Sequence, residues 1–264
     1  MKKNGFGLLT IAAALVLTAC NKTLEESQYN EFEFKCADGS VRNAAVYLPL
    51  GWTPKQEWPV IFMEDGLVFK DCDFKTSIDS LVDLGEIRPL VVACSYENKM
   101  KVPGFKISYR NAEFVENIAR TDDKLMQLYD KHLSFFKDEF IPYITRKYST
   151  AGSRDGRIFF GTSNSADFGL SLSMRDTTAF AEYWCYSPVN SSMSYYGMVP
   201  ATTSYRICWG TKEEVGQFDY FPELIMSIRK RGGKVSSWVF DGGHDRAWWK
   251  YWFLEELKRQ FPAE

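Results

Sequence analysis

Six short runs rich in valine, isoleucine, aromatic residues and cysteine recur along the chain, at residues 60–64, 90–96, 157–160, 183–187, 205–209 and 235–240. Longer segments with helical spacing lie between most of them. Strands alternating with helices argue for a mainly parallel sheet, because a parallel pair needs a crossover that a helix supplies. The expected fold is therefore α/β, with helices on both faces of one central sheet. Residues 31–50 alternate instead and contain Asp38-Gly39, as an antiparallel hairpin at the sheet edge would. Helices are expected over 77–84, 122–147, 164–174, 219–231 and 246–260. In the longest, Leu125, Leu128, Tyr129, His132, Leu133, Phe136 and Phe140 follow the three-to-four spacing of a buried stripe, and Pro142 should bend its end. The chain shows no internal repeat and no low-complexity segment.

With 264 residues, 45% of them hydrophobic, there is material for one sizeable core and one domain, expected over 30–264. The 32 basic and 34 acidic residues leave a net charge of -2, so the concentrated positive field that binds nucleic acid is missing. At the N-terminus, Lys2 and Lys3 precede an apolar run over 6–17 that ends in Leu17-Thr18-Ala19-Cys20. The run is short for a membrane span, and a small residue directly before a cysteine resembles the bacterial lipobox. Residues 1–19 thus read as a lipoprotein-type signal peptide, Cys20 as the acylated mature N-terminus and 20–29 as a polar tether. The expected location is the cell envelope, with membrane contact through the lipid anchor alone. Of the remaining cysteines, Cys94, Cys185 and Cys208 sit in apolar runs as buried thiols, a Cys36–Cys72 bridge stays open, and no metal-binding spacing appears.

The chemistry concentrates where strands end. The run 157–160 leads into Gly161-Thr162-Ser163-Asn164-Ser165-Ala166, followed by a helical pattern. A sharp strand-to-helix turn of this kind lifts a serine hydroxyl above the sheet, and small residues two positions either side of it prevent collision. Ser163 is the candidate nucleophile. It needs a base, and the chain has only two histidines. His132 falls within a long helix, as a solvated or packed residue. His244 follows the run 235–240 through Asp241-Gly242-Gly243, at a carboxyl edge, and is the candidate base. A carboxylate between serine and histidine in chain order should orient the imidazole. Glu213 is the first choice, then Glu214 and Asp219. Oxyanion donors are sought in the backbone N–H of Asn164 and in Gly66 or Leu67, after the run 60–64. Trp248 and its aromatic neighbours could stack on a catechol, a ferulate or a sugar face.

VIFMEDG, SYRNAEF, FFKDEFIPYITRKY, RIFFGTSNSADFGLSL, WGTKEE and, above all, FDGGHDRAWWKYW together resemble the putative-esterase family from about Trp58 to Phe261. That family includes enterochelin esterases and the feruloyl and acetyl-xylan esterases. The resemblance implies an α/β-hydrolase fold, an esterase activity without metal or cofactor, Ser163 and His244 in the roles just given, and an acid that falls on Glu213. It also implies that Arg110 and Glu113, which match an Arg-x-x-Glu of the siderophore branch, lie near the substrate mouth. Ser165 and Ala166 depart from the family's Gly-Gly. Three functions follow as expectations: hydrolysis of a carbohydrate-linked or phenolic ester, cleavage of a siderophore ester, and ligand capture without catalysis. The sequence leaves self-association open.

Overall fold

A computed structural model describes residues 23–189, 198–213 and 215–263, with the side chains of 215–219 also undescribed. Eight strands form one sheet: β1 (Gln28–Lys35), β2 (Val41–Leu48), β3 (Val60–Met63), β4 (Val91–Ser95), β5 (Arg157–Thr162), β6 (Glu182–Tyr186), β7 (Ser204–Gly210) and β8 (Lys234–Phe240). Their order across the sheet is β1-β2-β4-β3-β5-β6-β7-β8. The pairs β1–β2 and β2–β4 are antiparallel and every other pair is parallel. The N-terminal hairpin turns at Gly39, whose φ of +83° is the left-handed backbone that glycine adopts freely.

Alternation along the parallel strands splits the core in two. Val60 and Phe62 of β3 face one side with Phe159 and Cys185, while Ile61 and Met63 face the other with Phe160, Trp184 and Tyr186. The second face is covered by α1 (Leu67–Asp71), α2 (Phe74–Asp83) and, from the far end of the chain, α9 (Arg246–Gln260) through Trp249, Phe253 and Leu257. The first face carries α3 (Tyr109–Phe114), α4 (Glu116–Ala119), α5 (Asp123–Ser134), α6 (Ile141–Tyr148), α7 (Asn164–Arg175) and α8 (Val215–Lys230). Burial of both faces is why these strands read as near-continuous apolar runs.

The single helix expected over 122–147 is three pieces: α5, a π-helical turn at Phe135–Phe140, and α6. Pro142 lies in the first turn of α6, where a missing N–H is tolerated. The widened turn before it puts Phe135, Phe136 and Phe140 in the core together. Three helices went unassigned, α1, α3 and α4, of five, six and four residues, too short to show a period. Cys36 and Cys72 are free thiols and form no bridge; Cys94, Cys185 and Cys208 are fully buried. The signal segment and Cys20 lie outside the described residues.

Candidate active site

Ser163 sits between β5 and α7 with φ +57° and ψ -125°, a backbone that costs a non-glycine residue on the order of 1–3 kcal/mol. Hydrogen bonds hold it there. Its N–H donates to the Tyr186 carbonyl at 2.9 Å, and its own carbonyl accepts from Ala166 and Asp167 at 3.0 and 3.2 Å. A Cβ on Gly161 would lie 2.5 Å from the Ser165 carbonyl oxygen, so no side chain fits at that position. Ser165, by contrast, is accommodated: its buried Oγ accepts from the Thr162 N–H and donates to the Thr162 carbonyl, both at 2.8 Å. The hydroxyl closes the turn that a glycine would leave open.

The ends of β7 and β8 bring the other two groups to this serine. The Thr211 and Lys212 N–H groups donate to the Phe240 and Gly242 carbonyls, each at 2.8 Å. The approach is tight enough that a Cβ on Gly210 would come within 2.0 Å of the Gly242 oxygen. Glu213 and His244 are thereby set face to face. His244 Nδ1 lies 3.0 Å from Glu213 Oε2, and His244 Nε2 lies 2.8 Å from Ser163 Oγ.

The Glu213 side chain has no solvent exposure, and burial alone would raise its pKa. Hydrogen bonds from His244, from the Ser187 hydroxyl at 2.6 Å and from the Gly210 N–H at 2.7 Å outweigh burial and hold it below the usual carboxylate range. An ionised carboxylate can only accept, so Nδ1 carries the imidazole proton and Nε2 is left to accept from Ser163. Glu214 lies outside the described residues, and of Asp219 only its place in α8 is described.

Sequence reasoning missed two supports of this arrangement. Ser187, at the carboxyl end of β6 with φ +49°, donates to Glu213 and accepts from the indole N–H of Trp249 at 2.9 Å. Trp249 is buried and meets the His244 ring edge-on at 4.8 Å, so it packs the imidazole in place. The one available signal was position: Ser187 closes an apolar strand at the functional edge. Trp248 is 36% exposed beside the same loop and stacks on Phe240.

The oxyanion candidates resolve unequally. Asn164 is the first residue of α7, where a helix leaves its N–H groups without intrahelical acceptors. Gly66 is corrected: its N–H donates to the Ser95 carbonyl at 2.8 Å and is not free. The Leu67 N–H has a weaker partner, donating to Glu97 Oε2 at 3.5 Å, the long limit for such a bond.

Arg110 and Glu113, which the resemblance places near the substrate mouth, turn their charged ends to protein partners. Arg110 grips Asp65 with two hydrogen bonds, and Asp65, at φ +58°, immediately precedes Gly66 and Leu67. The guanidinium thus anchors the loop. Glu113 is buried and pairs with Arg42 at 3.0 Å. Arg42 also donates to His132 Nδ1 at 3.0 Å, and His132 Nε2 lies 3.0 Å from Glu64 Oε1. His132 is therefore packed within the core, fully buried and far below the usual histidine pKa, through burial first and the Arg42 charge second. Among the described residues, no group of histidine, cysteine and carboxylate side chains is gathered to hold a metal ion.

Comparison with known proteins agrees with this architecture. A family model described as putative esterase matches residues 38–221, more than half of the chain. The match takes in Ser163 and Glu213, and His244 lies beyond it. Solved structures share the fold at low identity. A ferulic acid esterase is 19% identical with a TM-score of 0.67, over 89% of this chain and 97% of that one. A ferulic acid esterase from Anaeromyces mucronatus, in complex with ferulic acid, is 14% identical at 0.62, over 89% and 91%. The enterobactin hydrolase IroE is 15% identical at 0.61, over 89% and 95%.

Proposed function

Since the chain belongs to the putative-esterase family, we propose that it is a serine carboxylic-ester hydrolase working through an acyl-enzyme, with Ser163 as nucleophile, His244 as base and Glu213 as the orienting acid. The observation that carries this reading is the continuous hydrogen-bonded line from Ser163 Oγ through His244 to a buried, ionised Glu213. Ser163 attacks the ester carbonyl as His244 Nε2 takes its proton, and the imidazolium is stabilised by Glu213. Charge on the former carbonyl oxygen is met by the N–H groups of Asn164 and Leu67. His244 then protonates the departing alcohol, and a water activated by the same nitrogen releases the acid.

The proposed substrate is a carbohydrate-linked or phenolic ester. Its support is the likeness to proteins named as ferulic acid esterases, together with the exposed Trp248 ring beside the His244 loop. The likeness to enterobactin hydrolase supports siderophore-ester cleavage as the second reading. Relative kcat/KM on methyl ferulate, acetylated xylan and enterobactin separates the two. Ser163→Ala should abolish turnover on whichever substrate is preferred; turnover that survives it refutes the serine mechanism. A protein that only captures ligand would bind one of these esters and hydrolyse none.

The lipobox-like Leu17-Thr18-Ala19-Cys20 supports an envelope lipoprotein anchored through Cys20. Metabolic labelling with an alkyne fatty acid should mark the protein and fail in Cys20→Ser. Equal labelling of both would refute the anchor.

A further inference from the structure

Four residues beyond Cys20 the chain is fastened to the body of the protein. The Leu24 N–H donates to the Trp52 carbonyl at 2.9 Å, and the Leu24 carbonyl accepts from the Gly51 N–H at 3.0 Å. The Leu24 side chain packs against the core, the Ser27 hydroxyl donates to Asp79 at 2.7 Å, and β1 begins at Gln28, opposite Leu48. From Leu24 onward the chain is therefore docked. Between Cys20 and Leu24 it spans at most about 14 Å, even fully extended.

Strand direction decides which end of the molecule that fastening marks. β2 runs antiparallel to β4, with Tyr47 opposite Val92, so the connection over 49–59 starts where β4 starts and leads into the start of β3. It is also bonded to the segment before β5: Trp52 Nε1 donates to the Tyr148 carbonyl at 3.1 Å, and the Trp58 N–H donates to the Ser149 carbonyl at 2.9 Å. Leu24 thus sits at the amino ends of the parallel strands, whereas Ser163, Glu213 and His244 lie past the carboxyl ends of β5, β7 and β8. The six residues of β5 separate the two ends by about 20 Å. Beside the attachment point, Leu50 is 46% exposed, an apolar side chain suited to the boundary between headgroups and acyl chains.

Resting on the reading of Cys20 as the lipid anchor, we propose that the bilayer holding that anchor lies against the amino end of the sheet, with Leu50 and the 49–59 connection at its surface, and that the catalytic edge points away from it. The lengths exclude the opposite orientation. Turned over, the protein would hold Leu24 about 20 Å or more above the lipid, the length of β5 alone, and a span of about 14 Å does not reach that far. Ser163 then draws its esters from the aqueous side. Lipid esters of the same bilayer lie out of its reach.

The test uses the acylated full-length protein in vesicles of phosphatidylethanolamine and phosphatidylglycerol that carry a nitroxide on a lipid headgroup, a quencher of short range. A fluorophore is attached at Leu50→Cys or at Lys212→Cys, each in a Cys72→Ser background, because Cys36, Cys94, Cys185 and Cys208 are buried. Lys212 adjoins Glu213 and its side chain is 67% exposed. The nitroxide should lower the emission of the label at position 50 about twofold or more and leave that at position 212 nearly unchanged. Insertion of about twenty Gly/Ser residues after Lys22, with a span of about 25 Å, should remove at least half of the quenching at position 50. Equal quenching at the two positions, stronger quenching at 212, or no effect of the insertion overturns the orientation and leaves the anchor standing. Protein that carries no acyl chain and stays off the vesicles removes both, and neither result touches the esterase reading.

Discussion

Replacing His132 by alanine separates the two histidines. Its ring is fully buried, with Phe114 and Phe168 at centroid distances of 5.0 Å, Arg42 on one nitrogen and Glu64 on the other. Truncation leaves Glu64 Oε1 without its donor inside the core, at about 1–3 kcal/mol for an orphaned buried group. Arg42 loses one partner and keeps Glu113. Loss of the ring's packing adds about 2 kcal/mol more. The total is about 3–5 kcal/mol. For a domain of this size each kcal/mol moves Tm by roughly 2–4 °C, so thermal unfolding at pH 7.5 should show a fall of roughly 6 to 20 °C.

The sign of the pH dependence follows from the same burial. Unfolded His132 takes a proton below about pH 6.5, while the folded residue stays neutral to much lower pH. Its stabilisation is thus present above about pH 6.5 and declines by about 1.4 kcal/mol per pH unit below it, narrowing the gap between wild type and variant. In the folded variant, kcat should stay within about threefold of wild type, because neither ring nitrogen faces Ser163. A Tm shift under 2 °C would refute the buried network, and a hundredfold loss of kcat in folded protein would refute His244 as the base.

Three further outcomes follow. Arg110→Leu leaves Asp65 unpaired beside the oxyanion loop, so kcat should fall about a hundredfold with little change in KM; a rise in KM alone would place Arg110 on the substrate instead. Ser187→Ala removes one of three hydrogen bonds to Glu213 and the acceptor of the Trp249 indole, and steady-state kinetics should show kcat lower by about tenfold, against a prediction of no change were Ser187 merely a strand terminus. The acid limb of log kcat/KM against pH should have a slope of one, since hydrogen bonds hold Glu213 ionised to below the usual carboxylate range and leave one proton to the catalytic base; a slope of two would mean that the carboxylate is protonated over the same range.

Much of this fold can be read from residues whose burial leaves no choice. Val60, Phe62, Phe159 and Phe160 are completely buried from opposite faces of the sheet, and such positions are apolar whatever the surroundings. Ser163 and His244 were legible because a strand-to-helix turn and a loop after a strand are local patterns. The supporting groups were not. Glu64 and Arg42 reach His132 across separations of 68 and 90 residues, and Ser187 meets Trp249 across 62. Nothing in the spacing of such pairs announces contact; only the strand order brings them together. Gly66 and Leu67 looked equivalent as donors for the same reason, because the Ser95 carbonyl that occupies Gly66 belongs to the neighbouring strand.

Reaction with a fluorophosphonate, read by peptide mass spectrometry, puts the account's main claim to trial most directly. A serine hydroxyl reacts at a useful rate only when a base takes its proton. The adduct should appear on the peptide containing Ser163, vanish in Ser163→Ala, and form at least a hundredfold more slowly in His244→Ala. An adduct on another residue, or one forming equally fast without His244, would contradict the account.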